Sequence, residues 1–214
     1  MSALVIFDLD GTLADSKDDL CVSVNYVRGE FGLEPLDPSE IALMIGNGAR
    51  HLIERALADS GTGHSVDDGL DLFLRYYREH MLDRTRLYPG VVETLDALAG
   101  SELAVLTNKP YRFSCRMLEG LGIYDRFSAV YGGNSFPRKK PDPVGIYQIL
   151  EDTGADAGAA WMVGDSDVDV RTGRAAGIRS CGVTYGYAPH TFADHPPDHV
   201  IDTLRELPDL IAAG

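Results

Sequence analysis

Two carboxylates, Asp8 and Asp10, stand two residues apart directly after an apolar run in this chain of 214 residues. At the end of a β-strand this spacing points both side chains to the same side. Further polar clusters contain the other residue types that phosphoryl chemistry needs. They are Thr107-Asn108-Lys109, Arg138-Lys139-Lys140-Pro141 and the segment from Gly164 to Asp169.

The carboxylates of these clusters are the first indication of a metal site. Asp165 and Asp169 add two acidic groups to the pair formed by Asp8 and Asp10. Carboxylates packed together repel one another, and a bound divalent cation is one way to keep them ionised. Mg²⁺ suits such a set because it takes a few carboxylate oxygens, keeps water ligands and bridges to phosphate.

The remaining groups fit a phosphoryl oxygen. Thr107 offers a hydroxyl donor and Lys140 offers an ammonium, which are the two groups that such an oxygen requires. A carboxylate can attack phosphorus directly and form a covalent intermediate. The combination therefore predicts a phosphoryl-transfer site.

Each cluster also has an ordinary structural explanation. An isolated Asp-x-Asp is usually a turn, Thr107-Asn108 could cap a helix, and Lys140 before a proline could be plain surface charge. The acidic residues from Asp165 to Asp169 could cap the helix that follows. The functional interpretation depends on the occurrence of all these clusters in one chain, with three of them each at the end of a predicted strand.

Alternating patterns predict an α/β fold. Short apolar runs rich in β-branched residues are typical of buried parallel strands, and helical patterns lie between most of them. Strand and helix in alternation imply a parallel sheet covered on both faces. The predicted strands are Ala3–Phe7, Leu103–Leu106, Ala129–Tyr131, Ala159–Val163, Ser180–Thr184 and a weak one at His199–Ile201. Ligands of such sheets bind beyond the carboxyl ends of the strands, where the clusters would meet.

One stretch interrupts the alternation. From about Ser16 to Asp83 the pattern is helical, with candidate helices at 18–31, 39–44, 49–58 and 67–81. Proline and glycine residues separate them. We therefore expect an α/β domain formed by residues 1–15 and 84–214, with a helical cap formed by residues 16–83.

Composition narrows the possible partners. The formal net charge is -14, so nucleic acid and anionic membranes are poor partners. No apolar run approaches the roughly 20 residues of a membrane helix, and no signal-like segment opens the printed sequence. The three cysteines are far apart and in no metal-ligand spacing, which favours reduced thiols and a cytoplasmic protein.

The segment from Phe7 to Leu13, Phe-Asp-Leu-Asp-Gly-Thr-Leu, resembles the first motif of the haloacid dehalogenase (HAD) superfamily. The other three clusters are similar to its remaining motifs in order and spacing, so the resemblance covers essentially the whole chain. It implies a Rossmann-like core with an inserted helical cap, a Mg²⁺ cofactor and an aspartyl-phosphate intermediate.

The resemblance also implies roles for individual residues. Asp8 would be the nucleophile and a metal ligand. Asp10 would be the general acid and base and would bind Mg²⁺ through its backbone carbonyl. The dehalogenases themselves lack a side-chain carboxylate at this position. The remaining roles are phosphoryl binding by Thr107, Asn108 and Lys140, and metal binding by Asp165 with support from Asp169.

Within the superfamily, the cap segment Ile45-Gly46-Asn47-Gly48-Ala49-Arg50 is similar to that of the phosphoglycolate phosphatases. An ordinary turn in which Asn47 caps the next helix explains part of this segment. The functional interpretation adds that backbone N–H groups of Gly46, Asn47 and Gly48, with Arg50, meet the non-phosphate end of the substrate. We therefore expect a small phosphorylated metabolite, with 2-phosphoglycolate as the leading candidate.

Other functions remain open from sequence alone. Pyrophosphate or a sugar phosphate are alternative substrates. A non-catalytic phosphate-binding regulatory module is the alternative from a different class, although a signalling receiver would be shorter and would have no cap. The histidines at positions 190, 195 and 199 stand among prolines, which favours a solvated connection over a metal site. The oligomeric state, monomer or homodimer, is undetermined.

Overall fold

A computed structural model of the chain describes residues 3–61 and 65–213. Six of its strands form one sheet in the order β5-β4-β1-β6-β7-β8, and every neighbouring pair is parallel. The other two form a separate antiparallel ribbon. The strands are β1 Leu4–Phe7, β2 Ala14–Asp15, β3 Arg86–Leu87, β4 Glu102–Leu106, β5 Ala129–Tyr131, β6 Ala160–Gly164, β7 Arg179–Val183 and β8 His199–Ile201.

Helices connect the strands and add a separate block. The first four follow β2 and precede β3: α1 Lys17–Glu30, α2 Pro38–Ala42, α3 Ala49–Ala56 and α4 Val66–His80. The others alternate with strands: α5 Val91–Ala97, α6 Tyr111–Gly120, α7 Val144–Thr153, α8 Asp167–Ala176 and α9 Leu207–Ala213. Within the described ranges, no helix combines the length and apolar character that crossing a bilayer would require.

The central strands are apolar on both faces because helices cover both. In β1, Val5 and Phe7 belong to one buried cluster, and Leu4 and Ile6 belong to the other. Successive side chains of a strand point to opposite faces, so the alternation assigns one cluster to each side of the sheet. This arrangement confirms the predicted α/β fold with a parallel sheet.

The predicted strands agree with the observed ones to within one residue at each end, but the ribbon of β2 and β3 was not predicted. Its register pairs Ala14 with Leu87 and Asp15 with Arg86. Two residues per strand are too few to show a periodic pattern. The ribbon lies where the chain enters and leaves the block of four helices, so it sets the point of attachment of that block.

The four-helix block shares its apolar interior with the sheet side of the molecule. Leu20 and Val24 of α1, Ile53 of α3 and Phe73 of α4 belong to the same buried cluster as Phe7 of β1. The observed helices start and end close to the predicted ones. The division into a core and a cap at residues 16 and 83 stays a prediction, and residues 1, 2, 62–64 and 214 of the predicted domains lie outside the described part of the chain.

A buried carboxylate joins the two connections between the block and the sheet. Asp19, at the start of α1, accepts hydrogen bonds from the backbone N–H groups of Arg84 and Thr85 and from the Thr85 hydroxyl, at 2.7 to 3.1 Å. The acceptor oxygens are therefore satisfied without a cation, which is the condition for burying a carboxylate at low cost. The outgoing and returning segments are held together at this point.

Arg28 organises the interior of the helical block. It is only 2% exposed. Its guanidinium donates to the carbonyls of Glu34 and Ala56 and makes a two-pronged contact with Asp59, at 2.7 and 2.8 Å. One side chain of α1 therefore fixes the loop after α1 and the end of α3, in the planar forked geometry particular to arginine.

We expect Arg28→Met to destabilise the protein by about 2–3 kcal/mol, because the apolar stem is kept while several charge-assisted hydrogen bonds are lost. Urea unfolding followed by circular dichroism measures the loss. Arg55→Met is the matched control, since Arg55 donates to the Leu43 carbonyl at an exposed position. Equal stability of the two variants would contradict the assigned role of Arg28.

Candidate active site

Three neighbouring strands bring the predicted polar clusters together. β1 lies between β4 and β6, and the residues that follow these strands are Asp8, Thr107 and Asp165. The backbone N–H of Asp8 donates to the carbonyl of Val163 at 2.9 Å, so the pairing of β1 with β6 continues to the edge of the site. The parallel topology thus places side chains that are more than 150 positions apart in the sequence at one end of the sheet.

Asp8 is buried and anchored through one oxygen. Its Oδ1 accepts the N–H of Leu9 at 2.7 Å and lies 3.0 Å from Nζ of Lys140. Burial raises the pKa of Asp8 to about 6, against the lowering effect of Lys140. These contacts leave Oδ2 as the candidate attacking atom.

Lys140 lies between two carboxylates. Its Nζ is 3.0 Å from Oδ1 of Asp8 and donates to Oδ1 of Asp169 at 2.6 Å. Asp169 is held in turn, because its Oδ2 accepts the N–H and hydroxyl of Ser166 at the start of α8. An ammonium has three N–H donors, so one donor of Lys140 remains for a bound anion.

Asp165 lacks a lysine or arginine partner among the described contacts. Its Oδ2 accepts the backbone N–H groups of Tyr187 at 2.6 Å and Ala188 at 3.3 Å. Burial, with the charges of Asp169 and Asp8, raises the pKa of Asp165 to about 8. Gly11 packs against this carboxylate, since a Cβ on Gly11 would lie 2.4 Å from Oδ2, and its φ of +86° also favours glycine.

Three of these carboxylates fit a divalent cation. Asp8, Asp165 and Asp169 can each present one oxygen within 4.8 Å of the others, and all three are buried. One lysine does not balance three negative charges. Burial is the main cause of the raised pKa values of Asp8 and Asp165, and the neighbouring carboxylates add to it. Asp169 is the weakest candidate ligand of the three because both of its oxygens already accept hydrogen bonds.

Asp10 is held by other partners. Its Oδ1 accepts the Ser16 hydroxyl at 2.5 Å, and both oxygens accept from Nζ of Lys109 at 3.0 Å. The Lys109 ammonium also donates to the Tyr77 hydroxyl at 2.8 Å. The side chain is thus outside the carboxylate cluster, which is compatible with the predicted metal contact through its backbone carbonyl.

Thr107 and Asn108 continue the site from β4. Oγ1 of Thr107 accepts the N–H of Lys109 at 3.2 Å, so its hydroxyl proton is free to be donated to an anion. Nδ2 of Asn108 donates to the carbonyls of Gly46 and Lys140, at 3.0 and 3.1 Å. It thereby joins the loop that precedes α3 to the segment that contains Lys140. Oδ1 of Asn108 is buried and has no hydrogen-bond partner among the described residues.

A cavity of about 40 Å³ lies between these residues and the helical block. It has room for a few water molecules, and hydrogen bonds from Asn108 to Gly46 and from Lys109 to Tyr77 join the sheet side to the block beside it. The sheet side contributes Asp8, Asp10, Thr107, Asn108 and Lys109 to its wall. The helical side is mostly apolar, with Gly46 and Gly48 beside Leu20, Ile45, Ala49, Leu52, Phe73, Leu74 and Tyr77.

The predicted cap residues are only partly brought to this cavity. Gly46 and Gly48 line it, whereas Asn47 and Arg50 do not. Arg50 is paired with Asp67, and its half-exposed guanidinium is 4.0 Å from Glu54. This acidic pairing on the outer surface explains why the arginine does not enter the cavity, and its predicted contact with substrate stays untested.

Several residues that shape the site were not predicted. Lys109 belongs to a predicted polar cluster but has no predicted role, and no role is predicted for Ser16, Tyr77 or Tyr187. Tyr187 connects the carboxylate cluster to the segment that follows Asp10. Its N–H donates to Asp165, and its hydroxyl accepts the N–H of Ser16 at 2.7 Å. The position of Lys109 next to two predicted phosphate ligands was the one available signal.

Comparison with known proteins identifies the family. The model of the haloacid dehalogenase-like hydrolases matches residues 5–183. The chain belongs to the haloacid dehalogenase-like hydrolases. The resemblance of the first motif to this family is therefore confirmed, and the matched region contains all four polar clusters.

Similar members of the family carry one name repeatedly. The chain is 40% identical over 212 residues to a phosphoglycolate phosphatase of Agrobacterium fabrum, covering 97% of this chain and 91% of that protein. It is 41% identical over 213 residues to phosphoglycolate phosphatase 1 of Pseudomonas aeruginosa, covering 95% and 78%. The crystal structure of a predicted phosphoglycolate phosphatase from Haemophilus somnus superposes with a TM-score of 0.92 at 34% identity, covering 98% and 97%.

The charge excess at the site generates a stability prediction. The pKa of Asp165 in the folded protein, about 8, lies above its ordinary value of 3.8, so its contribution to stability falls as the pH rises between these values. Asn at this position keeps an acceptor for the Tyr187 N–H and does not ionise. In EDTA at pH 8.5, Asp165→Asn should therefore melt at least about 3 °C above wild type.

Differential scanning calorimetry at pH 5 and pH 8.5 checks this expectation. The advantage of the variant should be smaller at pH 5, where the wild-type carboxyl is protonated in the folded protein. A variant less stable than wild type at pH 8.5 would show that the Asp165 carboxylate is not destabilising there.

Proposed function

We propose that this protein is a Mg²⁺-dependent phosphomonoester hydrolase that works through an aspartyl-phosphate on Asp8 and uses 2-phosphoglycolate as its substrate. The observation that carries the proposal is the position of Asp8. One oxygen of its carboxylate is anchored by Leu9 and Lys140, and the other has no hydrogen-bond partner among the described residues. Asp8 also lines a cavity next to the donor Thr107. A nucleophilic carboxylate must be held in position while one of its oxygens keeps enough negative charge to attack phosphorus.

In the first step, Oδ2 of Asp8 attacks phosphorus and the substrate alkoxide leaves. The Thr107 hydroxyl and the third N–H of Lys140 donate to the phosphoryl oxygens, where negative charge is present throughout transfer. Asp10, which enters this step protonated, gives its proton as general acid to the leaving oxygen and becomes a carboxylate.

In the second step, the same Asp10 carboxylate removes a proton from a water molecule that attacks the aspartyl-phosphate. Phosphate leaves and the Asp8 carboxylate is restored, so atoms and protons balance over the cycle. Closure of the helical block over the cavity excludes bulk water during the first step and limits the second to an enclosed water.

Asp8, Asp165 and the backbone carbonyl of Asp10 would hold Mg²⁺, with Asp169 supporting the site. When bound, the ion supplies positive charge that draws the phosphoryl oxygens to the nucleophile and screens the carboxylates from one another. Asp169 acts chiefly on Lys140, whose ammonium it fixes at 2.6 Å.

The names of the similar proteins support 2-phosphoglycolate. We further propose that the enzyme acts in the cytoplasm on the free metabolite. Pyrophosphate and sugar phosphates are the competing substrates, and kcat/KM across a panel of phosphate esters ranks them.

The non-phosphate end of the substrate would meet the start of α3. Gly48 is the N-cap of this helix, and no side chain from the described residues caps it. The first backbone N–H groups of a helix carry partial positive charge and bind anions. A carboxylate placed there would be bound by backbone groups, which explains why Arg50 is not needed inside the cavity.

Asp8→Asn tests the mechanism. The side chain is nearly isosteric, so the fold should persist while turnover of p-nitrophenyl phosphate and phosphoglycolate falls by at least about 10⁴-fold. Phosphate release measures turnover, and circular dichroism confirms the fold. Near-normal activity in a folded variant would exclude Asp8 as the nucleophile.

Gly48→Ala tests the substrate. A Cβ there would lie 2.9 Å from Nζ of Lys139 and 3.0 Å from the Asn108 carbonyl, and the φ of +90° disfavours alanine. The shifted α3 start should reduce kcat/KM for phosphoglycolate by about tenfold, in line with the upper range for anions at helix N-termini. For p-nitrophenyl phosphate, which has no carboxylate, the change should stay within about threefold.

Arg50→Ala is the comparison that separates backbone from side-chain recognition. Because its guanidinium is paired with Asp67 on the surface, we expect kcat/KM for phosphoglycolate to stay within about twofold of wild type. A large loss of kcat/KM in this variant would indicate that Arg50, and not the backbone at the start of α3, binds the substrate carboxylate. A wild type that ignores phosphoglycolate but hydrolyses other esters would refute the substrate and leave the phosphatase proposal standing.

A further inference from the structure

Lys109 is a cation that the mechanism above does not use. Its side chain is 4% exposed and lies at the cavity wall. Its three N–H donors are all engaged, two by the Asp10 oxygens at 3.0 Å and one by the Tyr77 hydroxyl at 2.8 Å. Unlike Lys140, it has no donor left for a phosphoryl oxygen, so phosphate binding does not explain its burial.

Tyr77 belongs to the helical block, whereas Asp10 and Lys109 belong to the sheet side. Its ring is buried on α4 and stacks with the rings of Phe73 and Phe113, with ring centroids 5.3 and 5.8 Å away. These two contacts restrict where the hydroxyl lies. Burial, followed by the charges of Asp10 and Asp19, raises the pKa of Tyr77 well above its usual range, so the hydroxyl stays neutral.

We propose that Lys109 and Tyr77 are a positioning pair that fixes the Asp10 carboxylate only when the helical block is closed over the site. The inference rests on the proposed phosphatase function and names how its general acid is oriented. Lys109 spans both oxygens of the ionised Asp10 and sets the plane of the carboxyl group; when one oxygen carries the proton, the other still accepts from Lys109. Tyr77 completes the coordination of the ammonium from the opposite side of the cavity.

The energetics couple the two parts. A buried ammonium with a donor unsatisfied costs free energy, so loss of the Tyr77 contact favours rearrangement of Lys109 or entry of water. Movement of the block away from the sheet would remove the Tyr77 hydroxyl from Lys109. The Asp10 carboxyl group, which Lys109 orients, would then be free to rotate. Proton transfer to the leaving oxygen requires hydrogen-bond geometry, which would exist only with the cavity closed.

Tyr77→Phe removes one oxygen atom and keeps the stacked ring, which makes it the primary test. Lys109→Met is the second variant, and Asp10→Asn is the reference for loss of the general acid. Tyr76→Phe is the matched control, because Tyr76 is the adjacent residue of α4 and stacks on Tyr26 and His80. Circular dichroism and thermal melting verify that each variant folds.

The readout is the dependence of kcat/KM on the leaving group, measured with p-nitrophenyl phosphate, phenyl phosphate and ethyl phosphate in Mg²⁺. This parameter reports the step in which the alcohol leaves, and a poor leaving group needs the acid most. Asp10→Asn should lose about 10²–10⁴-fold on ethyl phosphate. Tyr77→Phe and Lys109→Met should lose about tenfold or more there and less than about threefold on p-nitrophenyl phosphate.

The outcomes separate the inference from the function on which it rests. A steeper leaving-group dependence in Tyr77→Phe than in Tyr76→Phe supports the positioning pair. Equal losses on all three esters, or no difference between the two tyrosine variants, would overturn it while leaving a working phosphatase. If wild type hydrolyses none of the esters in Mg²⁺, the proposed function itself fails.

Discussion

The concentration of buried negative charge at one end of the sheet is the constraint on which the rest of the structure depends. Asp8, Asp165 and Asp169 lie within reach of one another, and Lys140 is the ammonium placed between two of them. Such a cluster is unfavourable for folding by itself. The apolar strands behind it and the hydrogen bonds to Asp165 and Asp169 hold the carboxylates in place against their repulsion.

Strand order explains why a chain with distant motifs can build this cluster. β1 is central, and both of its neighbours are parallel to it, so three loops leave the sheet at the same edge. The helical block enters between β2 and β3, directly beyond the first of these loops. The segment that contains Asp10 and Ser16 therefore leads from the sheet into the block, and the Ser16 hydroxyl donates to Asp10 within it.

Sequence patterns were sufficient for the sheet and for the carboxylates, because buried parallel strands are continuous apolar runs and the polar clusters follow them directly. They were not sufficient where a contact depends on packing between elements. Tyr77 has the spacing of an apolar face residue, and only the fold shows that its hydroxyl meets Lys109. Arg50 has the right charge beside a helix start, but Asp67, 17 positions away, binds it on the surface.

Local charge balance also resolves how a protein with a net charge of -14 could bind an anion. Four carboxylates at the site, those of Asp8, Asp10, Asp165 and Asp169, face the two buried ammonium groups of Lys109 and Lys140. With all of these groups ionised, the site is short by two positive charges, so a phosphate dianion would be repelled. In the proposed function, a divalent cation would supply the two missing charges, and phosphate would then meet a neutral site with directed donors. Metal and substrate would therefore bind with positive coupling, so the cation would be needed for binding as well as for chemistry.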